Sequence, residues 1–166
     1  MQIFEVLVEY KMKEPRTHCF VNTAATAILM TQDLDRVGIL LDVGHSLAAK
    51  ENMAEAAALI ASHNKLDYIH FNDNYRAWDD DMMLGSVHLV EHLELVYWLK
   101  RIDYQGWLTL DIFPYREDGV RAAEHCPVSI LQARGGDAIP EVALWAIDRF
   151  VAVTVVPAVE PPKRFP

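Results

Sequence analysis

Residues 38–45 read GILLDVGH. An unbroken apolar run, Gly38 to Leu41, meets Asp42, and Val43, Gly44 and His45 follow. Apolar residues at successive positions, rather than alternating ones, suit a strand covered on both faces. Such strands belong to parallel sheets flanked by helices. The aspartate falls at the C-terminal end of this strand, Gly38 to Val43, and Gly44 closes it. In parallel α/β architecture, that end is where sites are built. Gly44 also lets the chain bend sharply, so that His45 can return toward Asp42.

The same signature recurs on either side. VLVEY (6–10) is a short apolar run that ends at Glu9 and Tyr10. YIHFN (68–72) carries His70, and WLTLDIF (107–113) carries Asp111 between Gly106 and Pro114. Between these runs lie helical patterns. Thr23 to Leu34 is rich in Ala, Ile, Leu and Met. MAEAAALIASH (53–63) follows Asn52, a good helix cap. VHLVEHLELVYWLKRI (87–102) follows Ser86. A helix is expected to begin near Asp118, and another to run through EVALWAIDRF (141–150). Strand and helix alternate four times, which predicts an α/β chain with a parallel sheet and helices outside it. The last stretch, VVPAVEPPKRFP (155–166), holds four of the eight prolines and reads as extended chain. The expected organisation is one domain over residues 1–150 and a proline-rich tail over 151–166.

Composition bounds the function. The 166 residues are 52% hydrophobic and 23% charged, with a net charge of −9. A chain this acidic, with no Lys/Arg stripe, is a poor partner for nucleic acid. No apolar run is long enough to span a bilayer, and the N-terminus does not read as a signal peptide. Two cysteines make no disulfide framework and suit a reducing compartment, so the expected location is cytoplasmic.

Glu9, Asp42, His70 and Asp111 end four successive strands, so they converge on one edge of the sheet. Taken singly, each has a bland reading. Glu9 could be a solvated rim residue, Asp42 a turn-former and His70 a hydrogen-bonded core histidine. Together they place three carboxylates in one mouth, where like charges raise one another's pKa and cost stability. A divalent cation removes that conflict. Three carboxylates and one imidazole suit Mn²⁺, Mg²⁺, Co²⁺ or Zn²⁺. Glu9 and Lys11 are two apart and share a side. So do Asp79 and Asp81 in the loop DNYRAWDDDMMLGS, with Asp80 turned elsewhere. His45, Asp79 and Asp81 could hold a second ion. The remaining histidines, Cys19, and the aromatics Tyr97, Trp98 and Trp107 read as structural.

EYKMKEPR (9–16), LLDVGH (40–45), YIHFNDN (68–74), WDDD (78–81) and LTLDIFPYRED (108–118) together resemble the C-terminal half of sugar isomerases of the xylose-isomerase-like TIM-barrel superfamily. The likeness is to the L-rhamnose isomerase type and covers about residues 5–120. The resemblance implies a half-barrel or truncated (β/α) barrel of about four strands, where the whole fold has eight and about 250 residues. It implies divalent-metal-dependent aldose–ketose isomerisation of a small sugar. Two ions would serve it, with Mn²⁺ first among the candidates and Co²⁺, Mg²⁺ and Zn²⁺ after it. By motif match, Glu9, Asp42, His70 and Asp111 would hold the anchoring ion, and His45, Asp79 and Asp81 the catalytic one. Lys11 would contact substrate oxygen. The alternatives are a ketose 3-epimerase of the same superfamily, a non-catalytic metal-binding half-barrel, or a DNA-repair endonuclease, which the net charge disfavours. Open sheet edges predict association, with another copy of the chain in the first place.

Overall fold

The computed structural model describes residues 6–113, 118–119 and 121–122, and the backbone of Phe150–Val155. Strand β1 (Val6–Glu9) leads into a small antiparallel hairpin, β2 (Lys13–Glu14) and β3 (Thr17–His18), and then into helix α1 (Ala24–Thr31). Strand β4 (Val37–Asp42) runs directly into the short helix α2 (Val43–Ala48) and on to α3 (Met53–Ser62). Strand β5 (Leu66–Phe71) is joined by a long polar loop to α4 (Leu89–Arg101), and β6 (Trp107–Ile112) follows. The main sheet has the order β1-β4-β5-β6-β7, where β7 is Phe150–Val155, with every pairing parallel. Each crossover steps to the adjacent strand without reversal. That is the progression of a barrel wall, and the barrel does not close within the described residues.

The sheet has one strand more than the four read from sequence. β7 is Phe150–Val155, paired with β6 from Leu108↔Phe150 to Ile112↔Val155. The proline-rich tail expected from residue 151 therefore starts inside a strand. FVAVTV is β-branched and apolar, and in the sequence it was masked by the helical pattern before it and the prolines after it. The helix expected over 141–150 meets β7 at Phe150; its other residues, like 156–166, lie outside the described residues. The helix expected near Asp118 is supported at its start: the Asp118 carboxylate accepts from Arg121 N at 3.0 Å, and Ala122 N donates to Asp118 O at 2.9 Å.

The strands alternate. Ile39 and Leu41, Ile69 and Phe71, and Leu108, Leu110 and Ile112 are buried. They form one core with Ala56, Ala57 and Ile60 of α3 and Leu95 and Leu99 of α4. The opposite parity places Asp42, His70, Thr109 and Asp111 together on the other face. Toward their C-terminal ends the strands are thus apolar on the helix side and polar on the other, while Leu40 and Tyr68 keep apolar groups on that inner face further back. Among the inward-facing residues, Leu40 is half-buried, whereas Thr109 is fully buried. Tyr97, Trp98 and Trp107 keep 47%, 39% and 53% of their surface exposed, so they line the outside of the packing rather than fill it.

Capping sets the helix starts. Asn52 Oδ1 accepts from Glu55 N at 2.9 Å, as its position before MAEAAALIASH predicts. At α4, Ser86 is not the cap. The carboxylate of the distant Asp73 accepts from Val87 N and His88 N at 2.8 and 2.9 Å. The chain entering α4 is therefore held from the loop, and the N-cap His88 makes no side-chain cap bond of its own.

Candidate metal centre

Parallel register brings the strand ends level. Asp42 pairs with His70, and His70 with Thr109, two residues before Asp111. His70 Nδ1 lies 3.3 Å from Asp111 Oδ2, 3.6 Å from Asp42 Oδ2 and 3.6 Å from Glu9 Oε1. One ligand atom from each of Glu9, Asp42, His70 and Asp111 lies within 4.8 Å of the others. A second group, Asp42, His45 and Asp79, meets the same limit. Asp81 is not in that group. It stands against Asp79, and the two carboxylates repel. Asp80 turns away, and its Oδ2 accepts from Tyr75 N at 3.2 Å.

Asp42 is both strand end and helix cap: its Oδ1 accepts from His45 N at 3.0 Å. This cap, with α2 beginning at once, brings His45 back over Asp42. Gly44 contributes differently from the sequence reading. It lies inside α2, and a Cβ there would collide with Asn72 Oδ1. Close approach, not a sharp bend, requires the glycine. His45 Nδ1 donates to Tyr10 O at 2.9 Å, and Nε2 faces Asp79 Oδ2 at 3.0 Å. A backbone carbonyl that holds one ring nitrogen leaves the other free to serve as a ligand. Lys11 Nζ reaches Asp79 Oδ2 at 2.9 Å and Glu14 Oε1 at 3.3 Å. These residues share a cleft of about 430 Å³, lined by Glu9, Lys11, Glu14, His45, Asp79 and Asp81, with Cys19 and Asp111 completing it.

The electrostatics are those of a crowded anionic site. Burial works against the His70 imidazolium, but Asp111, Asp42 and Glu9 outweigh it and push the group up to about 12. Burial likewise opposes charge on His45, and Asp42, Asp79 and Glu9 raise it to about 9. Burial would raise Asp79, yet His45 and Lys11 hold it down at about 2. Asp81 goes the other way. Burial, then repulsion from Asp79, Asp42 and Asp111, lifts it to about 8. Lys11 is raised despite burial, chiefly by Asp79 and then Glu14.

Two atoms test whether a cation fits. His70 Nδ1 is buried among three carboxylates yet makes no hydrogen bond, and Asp79 Oδ1 is buried without a partner. Buried polar atoms are ordinarily satisfied. An ion ligated by oxygen and imidazole would engage both, so the donor set fits a divalent metal of that preference.

Sequence reading missed Glu14 and Cys19 as cleft residues, because they belong to the small hairpin and not to the strands of the main sheet. It also passed over Asn72 and Asp73. Their signal was present in YIHFNDN, where two amides flank an aspartate just past a strand end.

A singly wound parallel sheet with a carboxylate–imidazole cluster at its strand ends is the architecture of a TIM-barrel segment. Residues 7–128 match the family described as xylose isomerase-like TIM barrel, and the chain belongs to that family. Among solved structures, a D-tagatose 3-epimerase-like protein superimposes with a TM-score of 0.60 at 20% sequence identity, over 85% of this chain and 48% of that one. The chain thus spans about half the length of that protein. Among the described residues, no helix is long and apolar enough to cross a membrane.

Proposed function

We infer that this chain carries the metal-binding half of a sugar-converting site whose reaction is aldose–ketose isomerisation, of the L-rhamnose isomerase type. The observation that carries the reading is the pair of ligand groups meeting at Asp42, with members of both groups and a lysine lining one cleft. Glu9, Asp42, His70 and Asp111 would hold one ion; His45 and Asp79, with Asp81 beside them, the second. Mn²⁺ heads the candidates, with Co²⁺, Mg²⁺ and Zn²⁺ after it. Bound there, divalent cations supply Lewis acidity, which polarises a carbonyl and acidifies a neighbouring hydroxyl. The ammonium of Lys11, 2.9 Å from Asp79, is positioned to donate to a sugar oxygen and stabilise charge on it. Tyr10 O keeps His45 in one orientation. The carboxylates explain how so acidic a protein takes a neutral polyol: a sugar would meet the ions, not the acids.

Within the described residues, β1 pairs on one side only, with β4. Its outer edge suits a further strand from another copy, which would supply the opposite wall of the cleft. A reducing, cytoplasmic setting accords with the free thiol of Cys19.

The second reading is ketose 3-epimerisation, favoured by the likeness to a D-tagatose 3-epimerase-like protein. That chemistry needs two carboxylates on opposite faces of the substrate as proton acceptor and donor. Here the last strand-end acid is an aspartate, one methylene shorter than the glutamate of such a pair. The deciding experiment is metal analysis, then an aldose–ketose panel with Mn²⁺ in labelled water, on the wild type and Asp42→Ala. Isomerisation without solvent label at the migrating carbon supports the proposal, and heavy incorporation supports epimerase-type proton transfer. Full activity in Asp42→Ala refutes the site.

A further inference from the structure

We propose that the side-chain amide of Asn72 makes Asp42 a one-oxygen ligand for one ion, by occupying the chelating side of its carboxylate. The inference rests on the metal reading above and specifies how that site divides its ligands.

Asn72 is fully buried. Its Nδ2 lies 3.1 Å from Asp42 Oδ1 and 3.0 Å from Oδ2. The nitrogen thus engages both oxygens at nearly equal distances. A cation chelated by both oxygens competes for those same acceptor positions. Oδ1 also accepts from His45 N. An ionised carboxylate offers about four acceptor positions, and three contacts already fall on this one. The position left is on Oδ2, the oxygen 3.6 Å from His70 Nδ1. By distance Asp42 belongs to both ligand groups. By acceptor capacity it serves the His70 group, and the second ion is left to His45, Asp79 and their neighbours.

The amide cannot be reversed, because its oxygen would then face two carboxylate oxygens. In the orientation seen, Asn72 Oδ1 is buried without a partner. Leucine would fill the space without that orphaned oxygen, so packing alone does not account for an asparagine here. Two further contacts hold it in place. His92 Nε2 lies 2.9 Å from Asn72 O, and the missing Cβ of Gly44 makes room for the amide.

The test titrates metal-free wild type and Asn72→Leu with Mn²⁺ by calorimetry, and compares their Co²⁺ visible spectra. Hydrogen-bond partners that orient a metal ligand change metal affinity by about 10–100-fold. The variant is expected to bind its first Mn²⁺ that much more weakly, with a shifted Co²⁺ band and an unchanged metal-free circular dichroism spectrum. Equal affinity with superimposable Co²⁺ spectra overturns the proposal. Wild type that binds no Mn²⁺ overturns the metal reading itself, and the inference with it. Should Asn72→Leu not fold, the wild type decides. On loading with Zn²⁺, the Asn72 side-chain N–H resonances should stay protected from exchange; loss of protection refutes the assignment.

Discussion

Replacing Asp73 by Asn tests how the polar loop is held. The Asp73 side chain is fully buried and accepts four hydrogen bonds: from Val87 N, His88 N, Asn74 N and His88 Nδ1, at 2.8 to 2.9 Å. His88 cannot exchange tautomers freely, because its Nε2 accepts from Arg76 Nε at 3.1 Å. Asparagine keeps the shape but turns one oxygen into a donor. Whichever way the amide lies, two N–H groups then face an NH₂. Hydrogen bonds to a charged group contribute about 1.5–3 kcal/mol each, so losing two costs about 3–6 kcal/mol. That is a large part of the total stability of a domain, about 5–15 kcal/mol. In urea, with a slope of about 1–3 kcal/mol/M, the midpoint should fall by about 2 M. Burial alone would raise the Asp73 pKa, but the contacts from His88 and Val87 lower it below the usual 3.8. Its stabilisation is therefore complete above the unfolded pKa and is lost as pH falls through the lower folded value. The gap between wild type and Asp73→Asn should be constant near neutrality and shrink in strong acid. The same residue pairs through its backbone with Met82, beyond Asp79 and Asp81, so Mn²⁺ affinity should weaken together with stability. An unchanged urea midpoint at pH 7 would refute the reasoning.

Mn²⁺ affinity should rise with pH. The metal-free imidazoles of His70 and His45 hold their protons up to about 12 and about 9, and ligation displaces them. Calorimetry in buffers of different ionisation enthalpy at pH 7.5 should show at least one proton released per ion, and none would contradict the ligand set. Lys11→Met should lower turnover by about 100-fold or more, the scale of losing one stabilising donor. Mn²⁺ affinity should change far less, since Lys11 is outside both ligand groups; a parallel loss of both would make it a structural residue. Asn52→Ala should cost about 1 kcal/mol, the usual value of an N-cap, seen as a lower melting temperature at unchanged Mn²⁺ affinity.

The sequence by itself determined the fold class and the membership of the strand-end cluster. Apolar runs that stop at Glu9, Asp42, His70 and Asp111 can be read without coordinates, because strand direction and parity are local properties of the chain. The hidden strand at Phe150–Val155 was not legible, since its pairing depends on β6, about 40 residues away. Only the tertiary structure decided how ligands are shared. It placed Asp42 within reach of both ligand groups and left Asp81 beside Asp79 rather than in the ligand group. It put the Asn72 amide on both oxygens of Asp42 and gave Gly44 its purpose in the space that amide needs. These facts depend on contacts between residues some 30 positions apart, and no local pattern encodes which lone pairs such contacts will occupy.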